Sequence, residues 1–105
     1  MLALAEKYLW TEHSRFKMRQ YRLSESRVKR IIRYPARVEE GILEEAIACM
    51  QPSGGKQYSE IWTLYVLSGG KEKKIKVISA WRYPGKAPER DPIPQNILRE
   101  IENLL

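Results

Sequence analysis

One cysteine, one histidine and one phenylalanine stand in a chain of 105 residues, and no apolar run approaches the roughly 18–20 residues that a membrane span requires. The lone Cys49 excludes an internal disulfide and any cysteine-cluster metal site. Between Ala48 and Met50 it reads as a small buried side chain, not a nucleophile. The opening MLALAEKYLW has no basic start and no small-residue cleavage pattern, so no signal peptide is expected and the expected compartment is the cytoplasm. Repeats and low-complexity tracts are absent. Gly54-Gly55-Lys56 lacks the strand before and helix after that a phosphate-binding loop needs. The acidic pairs Glu39-Glu40 and Glu44-Glu45 are neighbours whose side chains point apart on a strand, which argues against a carboxylate dyad. No metal site and no cofactor is implied.

With 43% hydrophobic and 30% charged residues, the chain reads as one globular domain over residues 1–105, large enough for a single core. Its charge is unevenly spread. Between Thr11 and Tyr34 stand Arg15, Lys17, Arg19, Arg22, Arg27, Lys29, Arg30 and Arg33 against Glu12 and Glu25, while the remainder holds eleven bases and eleven acids. The whole excess of +6 therefore lies in one stretch. Such a run is either a solvated face or a surface for a polyanion such as RNA or an acidic protein.

Thr11 suits an N-cap for a helix to about Tyr21, with Ser14, Met18 and Tyr21 inward and Arg15 and Arg19 outward. Ser24 suits the cap of a second helix, Glu25 to Tyr34, whose Val28, Ile31 and Ile32 form the buried stripe and which Pro35 stops. Strands are expected at Arg37–Glu40 and Leu43–Gln51. The β-rich runs Ile61–Leu67 and Ile75–Tyr83 flank Ser68-Gly69-Gly70-Lys71 as a hairpin. Strict alternation puts Ile75, Val77, Ser79, Trp81 and Tyr83 on one face of the second run and Ile78, Ala80 and Arg82 on the other. A Pro-rich linker then leads to a helix over Pro94–Leu105. The expected class is α+β: two N-terminal helices packed on an antiparallel sheet of three to four strands, plus a C-terminal helix.

The stretch EHSRFKMRQYRLSESRVKRIIRYPARVEEG and the strand KVISAWRY resemble an uncharacterised bacterial domain family similar to the RelE and BrnT type toxins of toxin–antitoxin systems. The resemblance spans about His13 to Tyr83. It implies an RNA-binding α+β protein, metal-free endoribonuclease activity, and an acidic antitoxin-like partner. Two positions depart from the pattern. Tyr21-Arg22 replaces Arg-Gly between the helices, which removes the residue that most easily takes a left-handed cap. Trp81 precedes Arg82 where the pattern has its basic residue one position earlier, and one step along a strand changes the face.

Metal-free RNA cleavage requires a proton removed from the 2′-hydroxyl, a proton given to the leaving oxygen, and donors for the phosphorane charge. His13 suits either proton step. Lys17 one turn along and Arg82 complete a catalytic set on this reading. Arg15, Arg19, Arg22, Arg27, Arg30 and Arg33 supply phosphate or partner contacts, and Tyr83 is the expected exposed stacking residue. Two alternatives stand beside it. His13 also suits an RNA or substrate contact or a structural role at the helix start, and the basic hairpin also suits a non-catalytic module that docks an acidic protein partner.

Overall fold

The computed structural model describes residues 7–102 and Leu104. Eight elements follow one another: β1 (Lys7–Trp10), α1 (Glu12–Tyr21), α2 (Glu25–Arg33), β2 (Arg37–Glu40), β3 (Ala46–Pro52), β4 (Ser59–Ser68), β5 (Lys74–Pro84) and α3 (Gln95–Ile101). The strands form one five-stranded sheet in the order β1-β5-β4-β3-β2. Every neighbouring pair is antiparallel except β1, which runs parallel to β5.

The α+β class and the pairing of the two long hairpin strands agree with the sequence. The strand number and the purely antiparallel sheet do not, because the helices are preceded by a strand. β1 lacks a local partner, and its pairing of Trp10 with Val77 joins residues far apart in the chain. Residues expected at the start of the second strand, Leu43 to Glu45, instead make a turn with Glu45 at φ +62°. α2 ends at Arg33 with Tyr34 as its C-cap. α3 stops at Ile101, Leu104 is exposed, and Leu105 lies outside the described residues.

Both helix starts follow their caps. Thr11 Oγ1 accepts from the Ser14 amide at 3.0 Å and Ser24 Oγ from the Arg27 amide at 3.0 Å, each satisfying a donor that the first turn leaves free. α1 closes on Arg22, which adopts φ 57° and ψ 52° and points its amide at the carbonyls of Arg19 and Met18. The turn keeps the left-handed cap without its glycine.

The sheet carries a core on each face. One joins Met18, Leu23, Val28 and Ile31 of the helical hairpin to Cys49, Ile61, Ile75, Val77 and Ala80. The other joins Ile97 and Ile101 of α3 to Ala46, Ala48, Met50, Trp62, Leu64, Ile78 and Trp81. Ile32, expected in the buried stripe, and Val66 of β4 are half-buried at the margin of the core. Burial pushes the Cys49 thiol up to about 12, which keeps it protonated and inert.

Strict alternation fails in β5. Tyr65 pairs with Val77 and Leu64 with Ser79, so Ile78 has no opposite residue and forms a β-bulge. Before it, Ile75 and Val77 face the helical hairpin. After it, Ala80 keeps that face, while Ile78 and Trp81 turn to the α3 side. The extra residue reverses the expected grouping and turns Arg82 toward the helical hairpin.

On the α3 face, buried Glu60 accepts from Tyr58 Oη at 2.7 Å, Trp62 Nε1 at 2.9 Å and the Ala87 amide at 3.0 Å. Burial alone would raise its pKa; these donors and Arg37 outweigh it and hold the carboxyl below its ordinary value. The linker after β5 is thus tied to β4. It also takes the indole N–H of Trp81 on the Pro92 carbonyl at 3.1 Å.

Candidate functional site

The residues named from the sequence fall into two clusters at opposite ends of α1. At its start, Thr11 Oγ1 lies 2.9 Å from the Val77 carbonyl and 3.2 Å from that of Ile78, which seats the helix against β5 just where β1 ends. His13 Nε2 then meets Ser79 Oγ at 3.0 Å and lies 3.7 Å from Glu100 Oε1 of α3. Lys17, one turn on, is 2% exposed and bonds the same carboxylate oxygen at 2.8 Å and Gln20 Oε1 at 3.1 Å. Burial lowers the His13 pKa, Glu100 opposes the shift, and Lys17 adds to it.

Chemically, this set resembles a nucleophile relay only in composition. A Ser-His-carboxylate relay needs the hydroxyl and the carboxylate on different ring nitrogens. Here both approach Nε2, and Ser79 is fully buried. The ammonium of Lys17 is spent on Glu100 and Gln20, which leaves little of it for a phosphorane. The arrangement clips α1, β5 and α3 together.

Arg82 does not join His13. Its Nε donates to the carbonyl of Tyr21, the last residue of α1, at 2.9 Å. Eight residues of helix separate that position from His13, on the order of 12 Å at 1.5 Å per residue. The expected set of His13, Lys17 and Arg82 is therefore divided. Tyr83 also differs from expectation: it faces away from Arg82 and packs, half-buried, against the α3-side core.

At this second end Arg82 meets α2. Arg27 is half-buried and donates from Nη2 to the Pro52 carbonyl at 3.1 Å. Its Nε is shut off from solvent and has no hydrogen-bond partner. Burial, then the charges of Arg30 and Arg82, lower its pKa. Among the described residues no carboxylate lies within ion-pair distance of Arg27, Arg30 or Arg82. Arg15 differs, since it pairs with Glu25 at 3.1 Å and lies over the Trp10 ring at 6.0 Å. Arg19, Arg22, Arg30 and Arg33 are exposed around the hairpin, and Phe16 and Tyr34 add exposed rings at 55% and 67%.

Sequence reading missed Ser79 and Glu100. A buried serine on a strand gives no signal of its own. Glu100 reaches His13 only because α3 folds back under the sheet. Elsewhere, a cavity of about 610 Å³ lies between α3 and the turn before β3, lined by Leu43, Glu44, Glu45, Leu98, Arg99 and Glu102 among others. No group of three metal-ligating side chains occurs among the described residues. Compared with protein-family models, with curated proteins and with solved structures, the chain matches none.

Proposed function

We propose that the protein binds single-stranded RNA through the outer surface of the α1–α2 hairpin and does not cleave it through His13. The observation that carries this reading is the surface distribution of charge. The stretch that holds the entire +6 excess presents Arg19, Arg22, Arg30 and Arg33 to solvent, and the bulge in β5 brings Arg82 to the same side. Exposed Phe16 and Tyr34 supply flat apolar faces on which unpaired bases stack. Guanidinium forks match phosphate oxygens in pairs, which a run of lysines would not do.

The test is a titration of a single-stranded RNA oligonucleotide across salt concentrations. Each neutralised phosphate on a single strand contributes a log–log slope near −0.7, so changing Arg19, Arg22, Arg30 and Arg82 together to Ala flattens the slope by up to roughly 3 units. His13→Ala leaves binding nearly unchanged. No affinity at about 50 mM salt, a condition that favours phosphate contacts, removes the RNA reading, and tight binding of an acidic peptide in its place installs the protein-docking one. RNA cleavage by the wild type that His13→Ala abolishes in a folded protein restores the ribonuclease.

A further inference from the structure

The surface above is diffuse, but one spot on it has a specific geometry. Gln51 of β3, Ile61 of β4 and Arg82 of β5 are cross-strand neighbours in one row, on the sheet face that α2 covers. Arg27 and Arg30 lie one turn apart on α2 and so share a side of the helix. Arg27 reaches the end of β3 through the Pro52 carbonyl, and the charges of Arg30 and Arg82 act on it. Gln51 is occupied, its Nε2 donating to the Tyr34 carbonyl at 2.8 Å. Arg82 has spent Nε on Tyr21, which ties down one nitrogen of an otherwise exposed side chain.

Three arginines are thus carried to the place where a helix, a strand end and the last turn of α1 meet. No acid within ion-pair distance balances them among the described residues, and one nitrogen, Arg27 Nε, has a donor without an acceptor. A buried donor is normally satisfied, and a cluster of like charges normally has a counter-ion. One ligand meets both demands: a tetrahedral oxyanion with several oxygens to accept from these donors.

We propose that Arg27, Arg30 and Arg82 form a discrete site for a single phosphate group. Its identification with a backbone phosphate of RNA rests on the function proposed above. The site differs from the remainder of the basic surface in that two of its arginines, Arg27 and Arg82, are held by protein carbonyls before the ligand arrives, so less side-chain freedom is lost on binding.

Two measurements separate the site from the RNA reading. The first follows thermal unfolding in sodium phosphate against sodium chloride at equal ionic strength. Phosphate raises the midpoint of the wild type, and Arg82→Gln and Arg30→Gln cancel the rise, whereas Arg99→Gln, which removes an equal charge from α3, keeps it. The second titrates RNA: Arg27→Gln, Arg30→Gln and Arg82→Gln each weaken binding about tenfold at 50 mM salt and reduce the salt slope by about 0.7, and Arg99→Gln does neither. Arg82→Lys keeps the charge without the fork and restores less than half of the lost affinity in logarithmic terms. Should Arg27→Gln fail to fold, exposed Arg30 and Arg82 carry the comparison. RNA binding that these variants weaken no more than Arg99→Gln overturns the site and leaves the RNA reading standing. Phosphate stabilisation lost in Arg82→Gln, with no RNA affinity in the wild type, upholds the site for a free phosphoryl ligand and overturns the RNA reading.

Discussion

Arg22 shows how a single residue can stand against its own stereochemistry. At φ 57° its Cβ crowds the backbone, a cost of about 1–2 kcal/mol for an L-residue. The cap persists because two orphan carbonyls need a donor and because the next amide, Leu23, reaches the Met18 carbonyl at 2.8 Å while its side chain enters the core. Arg22→Gly relieves the crowding but enlarges the freedom of the unfolded chain. We expect a net gain of about 0.5–1 kcal/mol in urea unfolding, the scale of such backbone effects. A loss of stability would show that the Arg22 side chain contributes more than its backbone costs. The missing glycine was visible in the sequence as a departure from the resembled pattern. That the backbone keeps the glycine conformation was not, because the deciding contact is the burial of Leu23.

Helix–sheet packing, at the next scale, turns on the clip formed by His13, Lys17, Ser79 and Glu100. The His13 pKa is lowered, so the folded chain binds fewer protons than the unfolded one and stability rises with pH. This contribution is complete above the ordinary histidine value of about 6.5 and is lost as pH falls through the lower folded value. Urea unfolding of the wild type at pH 7.5 and 5.5 is expected to show a loss on acidification that His13→Gln reduces; an identical loss in both would remove His13 as its source. Glu100→Gln acts differently, since it leaves the buried Lys17 ammonium without its carboxylate. It lowers stability at both pH values by about 2 kcal/mol, below the roughly 3–5 kcal/mol for a fully buried pair because Glu100 is itself partly exposed. Elements with local signals were legible: the caps at Thr11 and Ser24, the stop at Pro35, the hairpin around Gly69. A Cβ at Gly69 would run into the Glu72 carbonyl, so glycine is required there. β1 was not legible, because its only ladder is with β5, and neither was the clip, whose members come from three separate elements.

For the molecule as a whole, the positive excess lies on the helical hairpin, and the rest of the chain is balanced. Arginines cover the hairpin, while Glu44, Glu45 and Glu102 line the cavity beside α3. No helix among the described residues is long and apolar enough to cross a membrane. The division of charge was readable from composition along the chain, since the +6 excess lies in one stretch. The placement of Arg82 with that excess was not, because it depends on one unpaired residue in the middle of a strand, and alternation counted from either end gives opposite answers.

That unpaired residue makes β5 behave like text with a reading frame. Deleting Ile78 would close the bulge and keep every later pair, whereas pairing that ran on evenly from Val77 and Tyr65 with Ile78 retained would shift every later side chain by one place relative to β4. Trp81 would then exchange surroundings with Ala80, and Arg82 would leave the arginine cluster for the side occupied by Tyr83. Pairing at this point, and not only residue identity, decides which groups share a surface. A chain one residue shorter here would keep Arg82 opposite Ile61 without any bulge.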